Sequence, residues 1–104
     1  MIPLNIIIHH SLTPDGQVVN TQAIRKYHVQ TLRWTDCGYH YLLENINGIY
    51  EILKGRMDNI PGAHAIGFNN DSIGICLIGN YDIQEPLSKQ LDLLRKLVRS
   101  LMEI

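Results

Sequence analysis

At 104 residues the chain has room for one domain with a modest core. A hydrophobic fraction of 45%, a charged fraction of 18% and a net charge of −1 fit a soluble globular protein and leave no basic footprint for nucleic acid or for an anionic membrane surface. No apolar run approaches the ~20 residues of a membrane span, and the apolar N-terminus lacks the basic region and cleavage site of a signal peptide.

Leu4–His9 reads as a strand, apolar on both faces and hence central. Ser11–Asn20 is a loop with a turn signal at Pro14-Asp15-Gly16. Thr21–Arg33 reads as a helix with Asn20 or Thr21 as its N-cap; Ile24, Tyr27, His28 and Leu32 mark its apolar face. Tyr39–Glu44 and Ile49–Leu53 read as an antiparallel hairpin turned by Asn45-Ile46-Asn47-Gly48. Gly55–Asn70 is a long Gly- and Asn-rich loop, and loops of that length usually carry function. Ser72–Ile78 is a second apolar, central strand. Leu87–Met102 is a helix with Ser88 as candidate N-cap; Leu91, Leu94, Val98 and Leu101 line one face, with Leu97 beside them. The order implies an α/β fold with a mixed central sheet flanked by helices.

Strand alternation places Asn5, Ile7 and His9 on one face and His10 on the other, so the two histidines cannot readily bind one ion. An isolated histidine at a strand end is ordinarily satisfied by backbone or water, but it can also face a cleft and ligate a metal. Tyr39 either packs as a strand aromatic or offers its hydroxyl to an oxyanion. His64 in the long loop can reach a ligand, and Arg56 can contact an anionic group. Cys37 and Cys76 form no CxxC pair and read as buried free thiols.

Four segments then occur in order: Ile7-Ile8-His9-His10-Ser11, Trp34-Thr35-Asp36-Cys37-Gly38-Tyr39, Gly62-Ala63-His64-Ala65-Ile66-Gly67-Phe68-Asn69, and Ser72-Ile73-Gly74-Ile75-Cys76-Leu77-Ile78-Gly79-Asn80-Tyr81. The series resembles the zinc-dependent N-acetylmuramoyl-L-alanine amidases, which include bacteriophage amidase-type lysozymes and peptidoglycan recognition proteins. The resemblance covers nearly the whole chain. It implies His9 as a zinc ligand, Tyr39 as the catalytic tyrosine beside the zinc-bound water, and His64 and Arg56 along the substrate groove. It implies peptidoglycan or a muropeptide as partner, and hydrolysis of the amide between N-acetylmuramic acid and L-alanine. A zinc ion with an open position would activate water for that reaction.

The family usually takes two further zinc ligands, a histidine and then a cysteine or aspartate, from a segment after the last helix, and no position here matches them. The expectation is therefore a single amidase-like domain, truncated at its C-terminus. The alternatives are a non-catalytic peptidoglycan-binding module, an inactive remnant, or a site completed by His10, His64, Cys37 or a second chain. Truncation would expose apolar surface and favour a homo-oligomer. Without a signal peptide, the protein is expected to be made in the cytoplasm and to act on the cell wall after release or export by other means.

Overall fold

The computed structural model describes residues 1–11, 20–79 and 86–103. Strands β1 (Asn5–His10), β2 (Tyr41–Ile46), β3 (Ile49–Lys54) and β4 (Ser72–Leu77) form one sheet in the order β1-β4-β2-β3. β1 and β2 run parallel to β4, and β3 returns antiparallel to β2. With helices α1 (Thr21–Lys26) and α2 (Ser88–Met102), this is the mixed α/β architecture that the sequence implies.

The composition of β4 divides the molecule into layers. All its residues are buried, and they alternate small and bulky. Successive strand residues face opposite sides of the sheet. Ile73, Ile75 and Leu77 pack with Leu43 against Leu94 and Leu97 of α2, with Leu91, Val98 and Leu101 beside them. Ser72, Gly74 and Cys76 occupy the other face, where Cys76 meets Leu42, Cys37 and Ile24 of α1. The segment from Gly55 to Asn70 carries no regular element, as expected.

Several elements differ from the sequence reading. β1 is not central: it lies at an edge and, among the described strands, pairs with β4 alone. Apolar residues on both faces report that both faces pack, and say nothing about both edges being bonded. β2 begins at Tyr41, so Tyr39 leads into the strand, and it extends through Asn45 and Ile46. The hairpin turn is therefore Asn47-Gly48, whose φ values of 54° and 87° suit a type I′ turn.

The helix expected to reach Arg33 is α-helical only to Lys26 and continues as a π turn over Tyr27–Thr31. Leu32 N–H donates to Tyr27 O across that turn at 3.1 Å. The wider turn carries His28 inward and leaves Tyr27 and Leu32, expected on the apolar face, exposed. Asn20 is the N-cap, its Oδ1 accepting Ala23 N–H at 2.8 Å. Ser88 is not a cap: it is the first residue of α2, and Leu87 stands at the cap position. The Pro14-Asp15-Gly16 turn, Asn80 and Tyr81 lie outside the described residues. No helix among the described residues is long and apolar enough to cross a membrane.

Two histidines are structural members. His40 is fully buried; its Nδ1 accepts Gly74 N–H at 3.0 Å and its Nε2–H donates to Ile60 O at 2.7 Å, joining β4 to the long loop. His28 Nδ1 accepts Gly38 N–H at 2.9 Å, and its ring lies 4.5 Å from that of Trp34. Burial lowers the pKa of both imidazoles, and Arg56 adds to the effect at His28.

Two outcomes follow from this packing. Leu43→Ala empties a fully buried position and is expected to lower stability by ~2–5 kcal/mol in urea titration. Gly48→Ala meets no atom within 4 Å, so only its left-handed backbone opposes a side chain, at ~1–2 kcal/mol. The reverse ranking would contradict the assigned core. The buried histidines also set a pH dependence. Their pKa values are lowered on folding, so the unfolded chain binds protons more readily. Their contribution to stability is complete above the ordinary imidazole value of 6.5 and is lost as pH falls below it. The urea midpoint should drop between about pH 7 and about pH 5, and a midpoint that rose on acidification would show that these imidazoles are charged in the fold.

Candidate active site

The small residues of β4 leave room on one face of the sheet, and an imidazole fills it. The His64 ring lies directly over Gly74: a Cβ built there would stand 2.6 Å from its Cγ and Cδ2 and 2.8 Å from its Nδ1. A Cβ on Gly62 would stand 2.5 Å from the same Cδ2. Real Cβ atoms do not approach so closely, so both positions demand glycine if the ring is to stay. The loop backbone is fixed as well. Asn69 Oδ1 accepts the N–H groups of His64 at 2.8 Å and Ala65 at 2.9 Å, and Ala63 N–H donates to Gly38 O at 3.0 Å.

His9 arrives from β1, where it sits in register with Cys76. Its Nε2 is 2.9 Å from His64 Nδ1, with the two rings nearly perpendicular at 82°. The Tyr39 ring centroid lies 5.5 Å from that of His9 and 6.4 Å from that of His64. Beneath them, Ser72 Oγ lies 3.4 Å from His64 Nε2 and 2.5 Å from Phe68 O.

These groups are neutral near pH 7. Burial lowers the His9 pKa, with a smaller push from His10. Burial, then the charges of His9 and His40, lower His64 to about 4. Burial likewise raises the Tyr39 pKa, and a hydrogen bond to the Cys76 side chain adds to it, so the phenol keeps its proton and remains a donor. Burial raises both thiols, Cys76 to about 12. Cys37 and Cys76 are free, as expected, and as protonated thiols they are poor nucleophiles and poor ligands.

Of the residues singled out from sequence, His9, Tyr39 and His64 meet here. Arg56 does not point a free fork into the space. Its Nε donates to Cys37 O at 2.8 Å, its Nη1 to Pro61 O at 2.8 Å and its Nη2 to Asp36 O at 3.4 Å, which ties the segment before β2 to the long loop. Its charge still acts on the site by disfavouring protonation of His28, His40 and His64. Sequence reasoning missed Ser72, Gly74, Asn69, His28 and His40. The alternation Ser72-Ile73-Gly74-Ile75-Cys76-Leu77 was the available signal: bulk on one face, space on the other.

His9 suits a metal ion as one donor, since burial lowers its pKa and its partly exposed imidazole stands near the end of a strand. A catalytic zinc takes three protein ligands. Among the described residues, no group of three or more His, Cys, Asp or Glu side chains could hold an ion. The described residues thus supply only part of a donor set.

Comparison with known proteins gives this arrangement its relatives. The family model for N-acetylmuramoyl-L-alanine amidase matches residues 2–104. Peptidoglycan-recognition protein SC2 of Drosophila melanogaster is 37% identical over 90 residues, covering 82% of this chain and 47% of that protein. The endolysin of Escherichia phage T7 is 39% identical over 77 residues, covering 74% of this chain and 48% of its own length. The solved structure of the N-acetylmuramoyl-L-alanine amidase LysC from Clostridium intestinale superposes with a TM-score of 0.84 at 30% identity, covering 97% of this chain and 63% of that one. The chain spans about half the length of the curated relatives it matches. With the family model matching nearly every residue, the chain belongs to the N-acetylmuramoyl-L-alanine amidase family.

Proposed function

We propose that the surface beside His9, Tyr39 and His64 receives a muropeptide, and that the fold serves hydrolysis of the amide between N-acetylmuramic acid and L-alanine. The observation that carries this reading is the meeting of His9, His64 and Tyr39 on one face of the sheet in a chain of this family. A bound zinc ion with an open position would lower the pKa of its water towards ~7 and polarise the scissile carbonyl. His9 would hold that ion together with donors beyond the described residues. Tyr39, kept protonated by burial, has a neutral hydroxyl to donate to the oxyanion of the tetrahedral intermediate. The edge of the His64 ring and the Arg56 side chain would wall the groove, and the Arg56 charge favours a peptide that carries carboxylates. The place of action is the cell wall, reached by release or export.

A second reading, a module that binds peptidoglycan without cleaving it, draws on the partial donor set among the described residues. One experiment separates the two. Incubated with zinc and muropeptides, the chain is expected to release free stem peptide, and His9→Ala is expected to release none. Tyr39→Phe should keep muropeptide binding while turnover falls by roughly 10²–10³-fold, the usual effect of losing one oxyanion donor. A parent chain that releases no stem peptide, yet sediments with insoluble peptidoglycan equally well with and without chelator, would refute catalysis in favour of the binding module.

A further inference from the structure

The contact between His28 and Gly38 fixes where the His28 ring carries its hydrogen. A backbone N–H can only donate, so His28 Nδ1, 2.9 Å from Gly38 N, presents a lone pair. An imidazole with a bare Nδ1 holds its hydrogen on Nε2. That second N–H has no hydrogen-bond partner among the described residues, although the residue is only 9% exposed. No fully buried atom of His28 lacks a partner, so the Nε2–H edge reaches the surface. Polar groups of an enclosed side chain are ordinarily paired within the protein. A ring so enclosed, with one donor left facing outward, offers that donor to an acceptor from outside.

The surroundings say what kind of acceptor fits. The π turn Tyr27–Thr31 carries the ring inward, and such turns recur at functional sites. The His28 ring centroid lies 4.5 Å from that of Trp34 and 6.1 Å from that of Tyr27, which is 53% exposed. It lies 5.9 Å from the ring of Tyr39, whose other neighbours are His9 and His64. A ligand beside His9 and Tyr39 therefore meets His28 one ring further along. A single N–H among aromatic rings suits an amide group, with its oxygen on the donor and its carbon substituents on the rings.

We propose that His28 is a specificity-determining residue of the site, whose Nε2–H donates to an amide carbonyl oxygen of the muropeptide beside the rings of Tyr27 and Trp34. This role deepens the muropeptide reading above and rests on it. It requires no metal ion, and it uses the edge of the ring that the Gly38 bond leaves over. A muropeptide carries such carbonyls in two places, the acetamido group of the sugar and the stem peptide.

Nuclear magnetic resonance of protein labelled with nitrogen-15 at histidine tests the contact, with chelator present to keep the ligand intact. In the free protein, His28 is expected to carry its hydrogen on Nε2, and a hydrogen on Nδ1 overturns the proposal. Added muropeptide should move the His28 Nε2–H resonance, and an unmoved resonance at saturation overturns it. A shift with N-acetylmuramic acid alone assigns the acceptor to the acetamido group. A shift with free stem peptide alone assigns it to a peptide carbonyl. A shift with neither fragment at saturation refutes an amide carbonyl as the acceptor. His28→Asn keeps an oxygen near the Nδ1 position for Gly38 N–H but loses the outer donor, whereas His28→Ala loses both. The two variants should therefore lose muropeptide affinity alike, about 2–10-fold for one hydrogen bond, while His28→Asn retains more stability in urea. Parent-like affinity in His28→Asn would show that the ring is only structural, and where neither variant folds the resonance of the parent decides. A parent that binds no muropeptide refutes the site reading and this role with it; binding that leaves His28 silent refutes this role alone.

Discussion

Everything at this site depends on the absence of bulk along one face of β4. Ser72, Gly74 and Cys76 are fully or nearly buried yet fill little volume, and the space above them admits the His64 ring. Their neighbours Ile73, Ile75 and Leu77 do the opposite work, anchoring α2 through Leu94 and Leu97. The strand period is two residues, so one step of register slip would drive isoleucines into the site and small residues into the core. Leu43, which pairs with Leu77 and packs on the α2 side, and the β2–β3 hairpin hold the register that keeps these faces apart. Folding stability and site geometry are therefore set by the same alternation.

The second constraint is electrostatic. Four imidazoles, those of His9, His28, His40 and His64, sit within a few residues' width of one another, and burial lowers the pKa of every one. Charging any of them would cost solvation, and it would also repel the others across a medium of low dielectric. Arg56 strengthens this bias while its donors are taken up by three backbone carbonyls. Neutrality has a structural use. A neutral imidazole both donates and accepts, and His40 does so between Gly74 N–H and Ile60 O. Protonated, it would have no lone pair for Gly74. The same burial that favours neutral imidazoles at His40 and His28 also lowers the pKa of His9 and His64, so the loop contacts and the candidate site share one electrostatic setting.

Much of this was legible in the chain, and the gaps have physical reasons. Strand and helix positions largely followed from apolar runs and periodicity, and the Asn-Gly pair marked the hairpin, though the turn was read two residues too long at its start. His9 on the site face followed from alternation alone. The edge position of β1 was not legible, because side-chain polarity records what covers a strand's faces and is silent on what bonds its edges. The π turn was hidden because one extra residue per turn leaves no mark in composition; its effect appears only in which residues of the expected apolar face turn inward, His28 without Tyr27 and Leu32. His64 could be placed in a loop but not against His9, since contact across 55 residues depends on the two glycines that give its ring a floor. Arg56 was read as a residue that can contact an anionic group, because sequence cannot show that three backbone carbonyls converge on its guanidinium.

The edge position of β1 bears directly on what His9 can do. Were β1 central, His9 would lie between two bonded neighbours, and an incoming ion or substrate would have to approach from above the sheet alone. At the edge, one flank is occupied by Cys76 of β4, and no described strand pairs with the other. The His64 contact restrains the ring from the β4 side of the face, where Gly74 lies beneath it. Among the described residues, the ring is held from the β4 side, and β1 makes no strand ladder on its other flank. The apolar run that builds β1 secures the strand, its pairing with β4 brings His9 over the small residues of that strand, and the His64 contact at Nε2 restrains the ring.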